Sequence, residues 1–239
     1  MGNLSLFDAH VHLSWFENPE QTAAQAQKLG IAALCCTVTP KEYRDASALL
    51  SECPNVRVAA GIHPWLVDDS TDAADVADAI SGSPWVGEVG LDFGAKHAHS
   101  KKEQLRVFEE ACEACSEGGK TLSIHSVRSA GAVMDVLERT GTIDGCRCVF
   151  HWFSGTSEEL ARAREAGCWF SVGERMLGTR RGREYARQIP SGRLLLETDL
   201  PEAEQDGSTV ADIAESLLSA AGILKSLKED WEPARACLF

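Results

Sequence analysis

No apolar run in this sequence approaches the roughly 18 residues of a membrane span. Its start also lacks a basic segment followed by an apolar stretch, so neither a spanning helix nor a secretory leader is expected. A cytoplasmic location and no membrane partner follow as expectations. Positive charge is scarce: 23 Lys and Arg stand against 36 Asp and Glu, a net charge of −13. That balance excludes a broad electrostatic grip on duplex nucleic acid and leaves open a site that takes phosphate at one point. Without a leader, the nine cysteines read as reduced thiols rather than a disulfide framework. Cys35, Cys36, Cys148 and Cys168 fall in apolar runs, where cysteine packs as a small hydrophobe. Cys112-x-x-Cys115 has no second pair at zinc-finger spacing and lies in a helical pattern, so it is not assigned to a metal. A linker is missing as well, and residues 1–239 are read as one domain.

What is present is alternation between short apolar runs and longer amphipathic ones. Strands are predicted at 4–13, 31–38, 56–62, 85–92, 120–124, 146–150, 168–172 and 193–196. Helices are predicted between them, at 19–29, 41–53, 72–80, 101–117, 132–137, 158–166 and 183–188, with two more at 209–221 and 226–236. Eight strands separated by helices imply βα units and a parallel sheet. The expected architecture is an α/β fold of the TIM-type (β/α)8 barrel, with a doubly wound open sheet as the runner-up. The barrel is favoured because polar residues follow strands all along the series, not at one switch point.

Those residues are His10 and His12 on the first strand, His63 after the third, Glu88 and Asp92 on the fourth, His125 after the fifth, His151 after the sixth and Asp199 after the eighth. Successive side chains alternate faces along a strand, so Asp8, His10 and His12 share one. Two imidazoles on one face can grip a cation, and Asp8 can support one of them from behind. Within the whole set, four imidazoles and two carboxylates suffice for one or two divalent cations. His97 and His99 lie in a polar loop and read as solvated.

With the motifs D-A-H-V-H, G-I-H-P, G-E-V-G-L-D-F, S-I-H-S, F-H-W-F-S-G and E-T-D-L-P in order from Asp8 to Pro201, the chain resembles the TatD family of metal-dependent deoxyribonucleases, a branch of the amidohydrolase-like barrels. The resemblance implies that His10, His12, Glu88, His125, His151 and Asp199 are metal ligands, with Glu88 shared by two ions. It implies magnesium, manganese or zinc, and a 3′-to-5′ exonuclease acting on DNA through metal-activated water. His63 and Asp92 would stand beside the metals. Asp199 is placed to accept a proton, with Glu88 and His63 completing the catalytic set. His63, if protonated, would hydrogen-bond a phosphate oxygen.

Three features differ from the family pattern. Arg128 comes one residue later than the family arginine after strand five. Glu202-Ala203-Glu204-Gln205-Asp206 replaces a longer loop after Asp199. A family asparagine has no counterpart in 234–239. Arg175, Arg180, Arg181 and Arg183 crowd one stretch of an acidic chain. Arg180 and Arg181, with Arg128, are the expected contacts for a single strand or 3′ end, because the guanidinium fork matches phosphate. Two other readings stay open: a metal-dependent amidohydrolase or lactonase on a small molecule, and a partner-dependent nuclease component of an anti-phage system.

Overall fold

The computed structural model describes residues 6–233. In chain order the elements are β1 (Leu6–Val11), α1 (Pro19–Lys28), β2 (Ile31–Cys36), α2 (Pro40–Leu49), β3 (Val56–Ala59), α3 (Ala73–Ser81), β4 (Trp85–Asp92), α4 (Lys101–Glu113) and β5 (Thr121–Val127). They continue with α5 (Ala130–Arg139), α6 (Thr142–Gly145), β6 (Arg147–His151), α7 (Ser157–Glu165), β7 (Trp169–Val172), α8 (Glu174–Leu177), α9 (Arg180–Gln188), β8 (Leu194–Leu196) and α10 (Val210–Leu227). The strands form one sheet in the order β3-β2-β1-β8-β7-β6-β5-β4. A parallel bridge from Ala60, just past β3, to Val86 in β4 joins the two ends of that series. This is the TIM-type (β/α)8 barrel.

The chain divides into two compact units. Among the described residues, the first takes 6–35, Asp45–Val58 and 170–233; the second is Cys36–Arg44 with Ala59–Trp169. In the first unit, every residue of β2 that belongs to it is buried, as a strand covered on both faces requires, which explains its unbroken apolar run. Leu194, Leu195 and Leu196 make β8 equally apolar, and Trp231 lies fully buried with its indole N–H on the Leu194 carbonyl at 3.2 Å. In the second unit, β4 pairs with β5 and β5 with β6, all parallel. Buried Lys120 donates from Nζ to the carbonyls of Ile80, Ser81 and Ser83 at 3.1, 3.0 and 2.7 Å, satisfying carbonyls at the end of α3 with a positive charge.

Several expected boundaries move. The first strand stops at Val11, and the Leu4 and Ser5 placed in it lie outside the described residues. The helix expected at 183–188 starts earlier, at Arg180, because Thr179 caps it by accepting the Gly182 N–H at 2.9 Å. The two helices expected at 209–221 and 226–236 are instead one, α10. Its buried stripe of Ile213, Leu217, Ala220 and Leu224 continues past Gly222, so the glycine does not end it. Residues 228–233 are not helical; 234–236 lie outside the described residues, as does the 234–239 stretch compared with the family asparagine. The described cysteines are all free thiols. Burial pushes the Cys112 thiol up to about 12.

Candidate metal centre

In the second unit, β4 brings Glu88 into a ring of imidazoles. Its Oε1 lies 2.7 Å from His125 Nδ1, 3.0 Å from His151 Nε2 and 3.1 Å from His63 Nε2. All four side chains are nearly sealed from solvent, with Glu88 2% exposed. Glycines make the approach possible. A Cβ on Gly90 would stand 2.1 Å from the carbonyl oxygen of His125, and one on Gly61 would stand 2.4 Å from that of Glu88. The G-E-V-G and G-I-H-P glycines therefore serve close backbone contact at Glu88 and His125, whose side chains meet in this ring.

Asp92, at the end of β4, holds this ring from one side. It takes the Gly94 N–H at 2.7 Å and the Trp65 indole N–H at 2.5 Å, and its Oδ2 stands 3.4 Å from His125 Nε2. Burial works to raise its pKa, but the hydrogen bonds from His125, Trp65 and Gly94 prevail and hold the carboxyl well below the usual range. His125 is the mirror case. Burial disfavours its cation, yet its bonds to Asp92 and Glu88 raise the imidazole above its ordinary value.

His63 differs from its neighbours. His63, Glu88 and His125 offer ligand atoms within 4.8 Å of one another. However, His63 Nδ1 accepts the Trp65 backbone N–H at 3.1 Å. A neutral imidazole that accepts at one nitrogen carries its proton on the other. In this arrangement Nε2 is a donor toward Glu88, which suits a contact to substrate oxygen better than a ligand role.

The first unit holds the second cluster. His10 Nε2 and His12 Nε2 stand 3.7 and 3.6 Å from the same Asp199 Oδ1. These separations are too long for hydrogen bonds. Ligands each about 2.1 Å from one ion stand about 3.0–3.5 Å apart, close to what is seen. Asp8, expected to support an imidazole, ties the backbone at His10 to Thr198. It accepts the His10 N–H at 3.2 Å, the Thr198 N–H at 3.0 Å and the Thr198 hydroxyl at 2.6 Å. Burial pushes its carboxyl up to about 7 against those bonds. Asp199 returns the tie by donating its N–H to the His10 carbonyl at 2.9 Å.

The arginines of the first unit have different partners. Arg181 packs on Tyr185, its Nε donating to the phenol oxygen, and Arg183 donates to the Leu177 carbonyl at 2.7 Å. Arg180 and Arg128 are exposed, Arg128 with a left-handed φ of 55° at the end of β5. The arginine beside the site is Arg175. Its Nη2 donates to the Asp199 carbonyl at 3.3 Å and lies 4.0 Å from Oδ2, while Nη1 holds Glu202 at 2.5 Å. Sequence reasoning missed Trp65, whose indole N–H lies on Asp92, and it read His97 as solvated, whereas His97 stacks on that indole. A tryptophan directly after the His63-Pro64 pair was the available signal.

The profile of TatD related DNases matches residues 7–229. The chain belongs to the TatD family. A TatD relative in Dickeya dadantii, named a 3′-5′ ssDNA/RNA exonuclease, is 30% identical over 82% of this chain and 78% of its own length. The uncharacterized metal-dependent hydrolase YcfH of Escherichia coli is 26% identical over 91% of this chain and 89% of its own. Among solved structures, the TatD homologue YJJV of E. coli has a TM-score of 0.77 at 22% identity, covering 94% of this chain and 91% of its own. A TatD-family hydrolase from Entamoeba histolytica has 0.78 at 17%, covering 95% and 92%. As a TatD protein the chain is a metal-dependent hydrolase acting on ester bonds. Among its described residues, no helix is long and apolar enough to cross a membrane.

The donor sets fit divalent cations. Buried imidazole nitrogens converge on carboxylate oxygen in one unit, and two imidazoles face one carboxylate oxygen in the other. Such N/O mixtures serve zinc, manganese or magnesium without selecting one.

Proposed function

We propose that this TatD protein is a 3′-to-5′ exonuclease on single-stranded DNA, using His10, His12, Glu88, His125, His151 and Asp199 as ligands for one or two divalent ions. The observation that supports it most is the buried convergence of His125 and His151 on Glu88 Oε1. A buried carboxylate facing two imidazoles is otherwise an unfavourable use of a core position. When bound, divalent ions supply acidified water and neutralise charge at a phosphoryl group. The protein's own share is then positional. Asp199 takes the proton of the attacking water. His63 donates from Nε2 to a phosphate oxygen, its ring fixed by the Trp65 N–H. Asp92 holds the other face of His125. Arg175 offers a guanidinium beside Asp199 for the phosphate. The sharing of both clusters by one single-domain barrel over 1–239 is part of this proposal, as are DNA as partner and a cytoplasmic location.

A 3′-labelled and a 5′-labelled single-stranded oligonucleotide, each with Mn2+, Mg2+ or Zn2+, test the reading. The expected outcome is stepwise loss from the 3′ end, abolished by Glu88→Gln. Intact oligonucleotides with every metal would refute it.

A second reading, hydrolysis of a small ester or amide, has one observation in its favour. A cleft of about 210 Å3 in the first unit is lined by Glu174, Arg175, Thr198, Leu200, Glu202 and Asp212, among others, and its acidic wall is unsuited to a polyanion. Turnover of small lactones in the absence of any oligonucleotide cleavage would select this reading.

A further inference from the structure

Trp65 is the one exposed side chain among the described Phe, Trp and Tyr residues, at 55% exposure. An indole left in water is ordinarily unremarkable, but this one is built in. Its N–H is anchored at 2.5 Å on Asp92, a carboxylate only 3% exposed. The ring of His63 meets it edge-on at 4.7 Å with an interplanar angle of 70°. His97 then lies flat against it, ring centres 4.8 Å apart and planes within 10°. The His97 ring makes no other polar or aromatic contact among the described residues; the remaining bonds of that residue are to its backbone. Its connection, 93–100, is bounded by β4 and the start of α4.

We propose that the indole face of Trp65 is a nucleobase-stacking platform, and that His97 covers it until a base takes its place. The idea rests on the nuclease reading above and names the substrate group that the site grips besides phosphate. A flat heteroaromatic ring already stacked on the indole shows that the face accepts one. Stacking needs no positive charge, so it can operate next to Glu88 and Asp92, where a bare phosphate is repelled unless cations intervene. It is also indifferent to base identity, since every base has a π face. The His63 ring that touches the indole is the same ring whose Nε2 points at Glu88. A base held on Trp65 would thereby register its adjoining phosphate on His63.

The test crosses the protein change with a substrate change. Binding of a 5′-fluorescein thymidine octamer is measured by anisotropy with Mn2+, in an Asp199→Asn background that blocks turnover. A matching octamer carries an abasic 3′-terminal residue. In the parent, removal of that base should weaken binding about tenfold; Trp65→Ala should weaken binding of the intact octamer by the same factor. Together the two changes should cost no more than either alone, because they delete the two sides of one contact. His97→Ala should bind the intact octamer two- to threefold more tightly, having uncovered the face. Multiplying losses, or no loss with Trp65→Ala, would overturn the platform, and tenfold weaker binding by His97→Ala would overturn the covering role. Cleavage of the intact octamer by the otherwise native enzyme, run in parallel, separates the causes. If cleavage persists without coupling, only the platform fails; if there is neither cleavage nor binding, the nuclease reading fails with it.

Discussion

At the scale of single residues, Asp199 separates chemistry from folding. Its backbone sits in the left-handed region at φ 56°, which asparagine tolerates better than other side chains. Asp199→Asn is expected to abolish hydrolysis while shifting the melting temperature by no more than about 2 °C, checked by oligonucleotide cleavage and thermal melting. Glu202 acts in the opposite sense. Its ion pair with Arg175 is exposed, and such pairs contribute about 0–1 kcal/mol, so a phosphate can displace it. Glu202→Gln should lower KM for the oligonucleotide two- to fivefold, and Arg175→Ala should erase that gain; unchanged KM in Glu202→Gln would rule out competition. The ligand-type residues were legible in the sequence because each stands on a strand or shortly after one, His10, Glu88 and His125 within β1, β4 and β5, His151 at the end of β6, His12 and Asp199 past β1 and β8, positions set by short-range pattern. Arg175 was not separable from Arg180 and Arg181 by sequence, since all three fall in one stretch. Only the folding of α8 and the acidic loop decides which guanidinium meets Asp199. Trp65 and His97 are 32 positions apart (97 − 65), and no local pattern predicts that two loop residues stack.

Among elements, β4 is the most constrained. Its register against β5 shifts between Val86 and Val89, around Glu88, and Gly90 lies opposite His125. Gly90→Ala would drive a methyl into the His125 backbone in a conformation, φ 141°, that side chains rarely adopt. We expect a loss of about 3 kcal/mol or more in stability, seen as a lower urea midpoint, together with weaker manganese binding by calorimetry. A wild-type midpoint would mean the strand can yield there. The helices show the limit of reading from periodicity. α7, with its capping box of Thr156 and Glu159, starts within a residue of expectation. α10 runs through Gly222, between the two helices expected there, because burial of Leu217 and Leu224 outweighs about 1 kcal/mol of propensity. Short α6 and α8 left no periodic signal to read.

For the molecule as a whole, metal and stability are linked. Ions that bind only the folded chain raise its stability by about 2.7 kcal/mol at a hundredfold excess over Kd. Manganese should therefore raise the melting temperature by several degrees, and Glu88→Gln should blunt that response; equal shifts in both proteins would place the ion elsewhere. A net charge of −13 adds a second expectation. Binding of the octamer should fall with salt less steeply than for proteins that contact six or more phosphates, since few cationic side chains are available near the ligands.

The tie between Asp8 and Thr198 also dictates a schedule. Its two ends are 190 positions apart, one on the first strand and one just past the last. At about 5–20 residues per second, the ribosome delivers the second end about 10–40 s after the first. Throughout that interval His10 and His12 have been made, but the partner that fixes their strand and the carboxylate they face have not. The His10, His12 and Asp199 cluster of a nascent chain is thus a poor competitor for cellular metal until Asp199 has been made, and products truncated before that residue should be hydrolytically silent.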